Sequence, residues 1–160
     1  MTQQVLLRAK AAFLGLAAGN MLGLPNEFAN ASRPDPVSDI DPRELSRPWD
    51  DDLAQAVELA RSLAAHRRAD PKDLARRFTN WLDVNGRGCG NQTGAVIRLF
   101  RKGFAPLDAS RQIWERSNCS AAGNGAVMRC APVGLAFHDD PAALARAALD
   151  SAAVTHFDPR

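Results

Sequence analysis

Three consecutive aspartates stand in the run Trp49-Asp50-Asp51-Asp52-Leu53, just before a segment with helical apolar spacing. Adjacent carboxylates repel one another, but the free N–H groups and the dipole at a helix start favour negative charge. A hard cation such as Mg²⁺ or Ca²⁺ would bind the same oxygens, because these ions prefer carboxylate and water ligands. The run therefore predicts either a metal site or an acidic cap on an ordinary helix.

Two glycine-rich segments, Gly86–Gly90 and Ala121–Gly125, each precede a predicted helix. Such loops let backbone N–H groups approach a ligand closely, and the following helix start favours a phosphate. Neither segment has the Walker A pattern, and neither follows a strand as a dinucleotide fingerprint requires. The alternative is a simple glycine turn between helices.

Two isolated residues, Glu27 and His156, have side chains that could take part in catalysis or ligand binding. Glu27 follows the helix end at Gly23-Leu24-Pro25, where a carboxylate could act as acid or base in glycosidic cleavage. A solvated surface position is its alternative. His156 could hydrogen-bond a ligand or cap the last helix, and its spacing alone favours the cap.

The elements that must position these residues are helices. Apolar residues recur at helical spacing, and no run of alternating β-branched residues predicts a strand. A proline-rich stretch at Asn30–Pro48 predicts a long surface loop. We predict an all-α fold. Helices are expected at Leu6–Met21, from the aspartate run onward (burying Leu53, Val57, Ala60 and Leu63 or Ala64), from Asp70-Pro71, and at Thr93–Phe100, Pro106–Arg116, Ala126–Phe137 and Ala142–Val154. Asp70-Pro71 and Asp140-Pro141 each predict an aspartate N-cap followed by proline in the first turn of a helix.

Length and composition favour one ordinary globular domain. The chain has 160 residues, of which 46% are hydrophobic and 24% charged. The net charge of +2, with scattered Lys and Arg, argues against a nucleic-acid partner. The longest apolar stretch, around Ala11–Ala18, is too short to span a bilayer, so no membrane partner is expected. Three cysteines without C-x-x-C spacing suit the reducing cytoplasm.

Four segments, in this order, resemble the ADP-ribosylglycohydrolase family. Residues 15–28 are similar to its opening pattern G-x-x-x-G-D-x-x-G-x-P-x-E-F, and 49–53 to its metal motif W-T-D-D-T. Residues 124–132 are similar to N-G-x-x-M-R-x-x-P, and Thr155-His156 to its T-H segment. The similarity covers nearly the whole chain, and the Asn-Gly-x-x-Met-Arg-x-x-Pro block is its most specific part.

The resemblance implies a compact multi-helix fold with two Mg²⁺ ions in a central cleft. By motif position, Asp51 and Asp52 would be metal ligands, joined by Asp50, and Glu27 would be a catalytic residue beside the substrate ribose. The implied substrate-binding residues are Gly123, Asn124, Gly125 and His156.

Three positions depart from the family pattern. Asn20 stands where Asp is usual, and Asp50 and Leu53 stand where the family has Thr. Family members also continue into a second half that carries a D-x-D-T metal motif. Residues 1–160 are therefore expected to be the N-terminal half of a family domain, apparently truncated.

The leading functional expectation is Mg²⁺-dependent hydrolysis of the glycosidic bond joining ADP-ribose to a protein side chain or a small molecule. Such an enzyme would be completed by a C-terminal half, or the chain would self-associate through the face left uncovered. The alternatives are an inactive fragment that binds an ADP-ribose-like ligand and a purely structural helical domain.

Overall fold

The structure is a computed structural model that describes residues 3–27 and 39–159. Within these ranges the regular structure is helical and includes no strand, which confirms the predicted all-α class. The α-helices are α1 (Gln3–Gly23), α2 (Asp51–His66), α3 (Pro71–Val84), α4 (Asn91–Arg101), α5 (Pro106–Arg116), α6 (Ala131–Ala136) and α7 (Pro141–Ala153). The first part of the predicted loop Asn30–Pro48, residues 30–38, lies outside the described residues, and its last part contains a short 3-10 helix, Pro42–Ser46.

Aspartate caps begin two helices, as predicted. The Asp70 carboxylate accepts hydrogen bonds from the backbone N–H groups of Lys72 and Asp73, each at 3.0 Å. Asp140 accepts one from the N–H of Ala143 at 2.9 Å. In both helices proline follows the cap, where its missing N–H costs nothing.

The helix predicted at Ala126–Phe137 is wrong in its first part. A short 3-10 helix covers Asn124–Ala126, and α6 begins only at Ala131. Pro132 explains the break, because it suits the first turn of α6 but would disrupt the interior of a helix that began earlier. The break leaves Arg129 on a turn with its side chain fully buried.

The core is centred on α2, which packs against α1, α3 and α6. Leu53 and Leu63 are buried as predicted, but Val57 and Ala60 are only half-buried and Ala64 is exposed. Because α2 has neighbours on more than one side, its buried face also includes Gln55, Ala56 and Leu59. The main apolar cluster comprises Leu59, Leu63, Ala69, Leu74, Phe78, Ile97, Val133, Ala147 and Val154.

Helix α1 packs on α2, yet none of its residues is buried. It has 21 residues and is long and apolar enough, by length and composition alone, to cross a membrane. The prediction that this apolar region is too short was therefore wrong. One such helix near an N-terminus is weak evidence of a span, and Leu16 and Asn20 of α1 line the cleft that this helix shares with α2. The absence of a membrane partner stays a prediction.

Candidate functional site

A cleft of about 950 Å³ collects nearly all of the predicted site residues. This volume lies within the range of small-molecule sites, roughly 300–1,000 Å³. Its walls come from α1, the start of α2, the loop before α4, the loop at Gly123–Gly125 and the end of α7. The lining residues are Gly15, Leu16, Gly19, Asn20, Gly23, Leu24, Glu27, Asp51, Asp52, Gly88, Gly90, Asn91, Gln92, Thr93, Gly123, Asn124, Gly125, Met128 and His156. Asp50 is the one predicted site residue that does not line it.

The three aspartates form a tight cluster at the start of α2. One ligand atom from each lies within 4.8 Å of the others. Asp50 is 4% and Asp51 7% exposed. Asp50 holds the N-cap position, but its side chain makes no capping hydrogen bond. The cluster therefore does not act as an ordinary helix cap.

The charges in this cluster oppose one another. Burial, followed by the charges of Asp50, Asp52 and Glu27, raises the pKa of Asp51 to about 7. Burial and the charge of Asp50 also raise the pKa of Asp52. A hard divalent cation would offset the repulsion between these closely spaced carboxylates. Carboxylate oxygens are also the ligands that such an ion prefers, so the residues present fit it.

Asn20 of α1 holds the cluster from the other side of the cleft. Its side-chain amide donates a hydrogen bond to Asp52 Oδ2 at 2.7 Å and lies 3.4 Å from Asp50 Oδ2. This residue was noticed in the sequence only as a departure from the family pattern. The structure shows that it links α1 directly to the carboxylates.

The first glycine-rich loop packs against the same carboxylates. Gly88 has a φ of +73°, and a Cβ there would lie 2.4 Å from Asp50 Oδ1 and 2.7 Å from Asp51 Oδ1. Only glycine suits both the backbone conformation and this close approach. The sequence predicted a close backbone approach in this loop, but to a ligand phosphate rather than to the protein's own aspartates.

Arg87 places a positive charge beside the cluster. Its guanidinium forms an ion pair with Glu44 at 2.7 Å and donates to the carbonyl of Pro48 at 3.1 Å. Its Nε lies 3.8 Å from Asp50 Oδ1. Arg87 therefore connects the glycine-rich loop to the segment that leads into α2.

Glu27 lines the cleft at the end of the 3-10 turn that follows α1. Partial burial and the charges of Asp50 and Asp52 raise the pKa of Glu27, while Arg87 opposes them. A carboxyl group with a raised pKa holds a proton closer to neutral pH, as an acid–base group requires.

The imidazole of His156 packs against the second glycine-rich loop in the wall of the cleft. A Cβ at Gly125 would lie 2.8 Å from Cε1 and 3.1 Å from Nε2 of His156. The backbone N–H of His156 ends α7 by donating to Ala152 at 2.8 Å, whereas the ring lies against the loop. The cap interpretation is therefore wrong for the His156 side chain. Burial, with the charge of Arg129, lowers the pKa of His156 to about 4, so its ring is neutral at pH 7.

Gln92, at the start of α4, joins these two parts of the site. Its amide donates to the backbone carbonyl of Thr155 and accepts from the N–H of Gly123, both at 3.3 Å. Sequence reasoning missed this residue because a lone glutamine after a glycine-rich loop has no distinctive signal.

Comparison with known proteins identifies the family of this sequence. The family model described as ADP-ribosylglycohydrolase matches residues 1–160, which is the whole chain. No solved structure gives a significant match.

Three relatives have similar sequences but are longer. An uncharacterised protein of Archaeoglobus fulgidus is 32% identical over 89% of this chain and 47% of its own length. The ADP-ribosyl-[dinitrogen reductase] glycohydrolase of Rhodospirillum rubrum is 33% identical over 95% of this chain and 52% of its own. The ADP-ribosylarginine hydrolase Tri1 of Pseudomonas putida is 32% identical over 83% of this chain and 37% of its own. The chain thus spans about half the length of these relatives or less.

Proposed function

The chain belongs to the ADP-ribosylglycohydrolase family, and on that premise we propose that it supplies the N-terminal half of a Mg²⁺-dependent hydrolase. The proposed reaction is cleavage of the N- or O-glycosidic bond between ADP-ribose and a protein side chain or small molecule. The names of two relatives, a glycohydrolase of ADP-ribosylated dinitrogen reductase and an ADP-ribosylarginine hydrolase, support this substrate class.

One observation carries the proposal. The acidic residues Glu27, Asp51 and Asp52 line the same cleft as the loop Gly123–Gly125 and His156, although they are far apart in the chain. A glycosidase needs carboxyl groups and hydrogen-bonding groups around one bond, and this cleft offers both.

Asp51 and Asp52, assisted by Asp50, would hold the two Mg²⁺ ions together with oxygens from the second half. When bound, Mg²⁺ supplies positive charge that holds ribose hydroxyls and water and stabilises charge as the bond breaks. Glu27 would give or accept a proton beside the ribose, which its raised pKa favours. Gly123, Asn124 and Gly125 would line the ligand, and His156 would hydrogen-bond it.

A second candidate is a protein that binds an ADP-ribose-like ligand without cleaving it. Leu53 favours this alternative, because it replaces the last threonine of the metal motif with a side chain that is 7% exposed and belongs to the core. One hydroxyl oxygen is thereby lost next to the carboxylate cluster.

The test measures Mg²⁺ binding by calorimetry and release of ADP-ribose from an ADP-ribosylated arginine peptide. Mg²⁺ gives up its waters reluctantly, so we expect the 160-residue chain alone to bind it weakly and to release little ADP-ribose. Adding the second half of the Rhodospirillum rubrum relative in trans, which gives the complemented pair, should restore Mg²⁺ binding and ADP-ribose release. Asp51→Ala or Asp52→Ala should abolish the restored activity, whereas Asp150→Ala, on the exposed surface of α7, should not.

Three outcomes separate the alternatives. ADP-ribose release that is unaffected by Asp51→Ala and Asp52→Ala would show that the site is placed wrongly. ADP-ribose binding without release, even in the complemented pair, would favour the binding protein. No binding of Mg²⁺ or ADP-ribose by the pair would favour a structural domain.

We also propose a cytoplasmic location, which the three free cysteines support. The absence of nucleic-acid and membrane partners remains part of the same proposal.

A further inference from the structure

The Thr155 hydroxyl lies between a buried guanidinium and the imidazole that lines the cleft. Arg129 Nη2 donates to Thr155 Oγ1 at 2.7 Å, and the same oxygen is 2.8 Å from His156 Nδ1. Arg129 and Thr155 are both fully buried. These contacts form a continuous hydrogen-bond chain from the core to the cleft.

The chemistry of the three groups determines the direction of this chain. Arginine has only donors, so the Thr155 oxygen must accept from Arg129. The hydroxyl hydrogen then needs an acceptor, because a buried hydroxyl without one is costly. Among the described residues, the remaining hydrogen-bond neighbour of this hydroxyl is His156 Nδ1. Nδ1 must therefore accept, and the ring proton must be on Nε2.

Arg129 cannot easily move away from this arrangement. Its Nη1 donates to Gln55 Oε1 at 2.7 Å, and its Nη2 also donates to the carbonyl of Ser151 at 3.1 Å. The guanidinium carbon lies 4.6 Å from the centre of the Phe78 ring. Three contacts from separate parts of the fold therefore hold the donor to Thr155 in place.

The free edge of the imidazole faces the cleft. Nε2 forms no hydrogen bond to any described residue, and it lies beside Gly123 and Gly125, whose missing side chains leave it room. Burial and the nearby Arg129 charge keep the ring neutral, so the ring has a single N–H and that N–H is directed to this edge.

We propose that Arg129 and Thr155 are positioning residues that hold His156 in its Nε2–H tautomer, so that it donates a hydrogen bond to an oxygen atom of the ligand in the cleft. The inference rests on the proposed function for the nature of the ligand, a ribose hydroxyl or phosphate oxygen of ADP-ribose. The hydrogen-bond chain itself does not depend on that function.

The test is ¹⁵N nuclear magnetic resonance of the histidine rings in the ligand-free 160-residue chain, with His156 assigned from its loss in His156→Gln. We expect a single Nε2–H tautomer with a hydrogen-bonded Nδ1 from pH 5 to pH 8. Thr155→Val should remove the Nδ1 hydrogen bond and allow the Nδ1–H tautomer to appear. Thr155→Ser, which keeps the hydroxyl, should restore the wild-type signals. A fold defect would alter both variants and the far-UV circular dichroism.

A wild-type ring with a proton on Nδ1, or a Thr155→Val ring identical to wild type, would overturn the inference. Calorimetry with ADP-ribose, on the chain combined with the second half of the Rhodospirillum rubrum relative, forms the second arm. There Thr155→Val should weaken binding roughly three- to tenfold and Thr155→Ser should not. If wild type shows the expected tautomer but does not bind ADP-ribose, the proposed function is contradicted and the hydrogen-bond chain is not. Equal ADP-ribose affinity in wild type and Thr155→Val would overturn the donor role of His156.

Discussion

The side-chain amide of Asn20 on α1 donates a hydrogen bond to Oδ2 of Asp52 on α2, across 2.7 Å. The family pattern has an aspartate at this position, which would add a fourth carboxylate to a cluster that is already short of positive charge. The neutral amide instead donates to Asp52 and lies near Asp50. Asn20 therefore stabilises the cluster in a way that does not require a bound cation.

We expect Asn20→Asp to destabilise the metal-free protein by roughly 1–3 kcal/mol, because it replaces a hydrogen-bond donor with a like charge. The same substitution should strengthen the dependence of the melting temperature on Mg²⁺. Thermal unfolding in chelator and in Mg²⁺ measures both effects. Asn80→Asp, at an exposed position of α3, is the control and should change stability by less than about 0.5 kcal/mol. Equal melting temperatures for Asn20→Asp and wild type in chelator would contradict this account of Asn20.

The raised pKa of Asp51 predicts that the metal-free protein loses stability as pH rises. Below about pH 4 this carboxyl is protonated in both the folded and the unfolded chain. Between pH 4 and about pH 7 the unfolded chain ionises first, so the free energy of unfolding falls, and above pH 7 the loss is complete. The loss for this group is at most about 4 kcal/mol. Urea unfolding at pH 5 and pH 7.5 in chelator measures it.

Asp51→Asn should remove most of this pH dependence and make the protein more stable than wild type at pH 7.5. Asp150→Asn, on the exposed surface of α7, should keep the wild-type dependence. If the free energy of unfolding of Asp51→Asn fell with pH as steeply as that of wild type, Asp51 would ionise normally.

The sequence predicted the parts of the fold that depend on local chemistry. The Asp-Pro pairs at positions 70 and 140 predicted two helix starts, because an aspartate cap followed by proline acts within a few residues. The break before α6 was missed although Pro132 is a local signal for it, because proline suits the first turn of a helix and disrupts its interior.

The candidate site shows the same division. The predicted site residues came from family motifs. The structure brings Asp51, Asp52, Glu27, the second glycine-rich loop and His156 to one cleft, whereas Asp50 does not line it. The contacts of Asn20, Gly88 and Gln92 were not predicted, because each joins two segments that are at least 30 residues apart. The residue types around one position do not reveal which distant segment of the chain will pack against it.

Gly88→Ala should disrupt the aspartate cluster. The added methyl group would overlap Asp50 Oδ1 and Asp51 Oδ1, and the positive φ would be strained as well. We expect a loss of roughly 2–4 kcal/mol in the free energy of unfolding and weaker Mg²⁺ binding by the complemented pair. Urea unfolding and calorimetry measure the two effects.

Two glycines separate the causes of this loss. Gly103 has a φ of +86° but open space around it, so Gly103→Ala reports the backbone strain alone. Gly90 has a negative φ and open space, so Gly90→Ala should be nearly neutral. If Gly88→Ala cost no more than Gly103→Ala, the contact with the aspartates would not be the cause.

The exposed face of α1 predicts self-association of the isolated chain. Leu7 and Leu14, 58% and 71% exposed, are seven residues apart and therefore share one face of the helix. Burying this apolar face against a second copy would remove it from water. We expect sedimentation velocity to show dimers or larger species at tens of micromolar protein, and the double substitution of Leu7 and Leu14 by Glu to shift the chain to monomer.

Val84→Glu, at an 88% exposed position on α3, is the matched control and should leave the association unchanged. The second half of a family relative, added in trans, should compete with self-association because it would cover the same face. A wild-type chain that sediments as a monomer at every concentration would contradict the prediction.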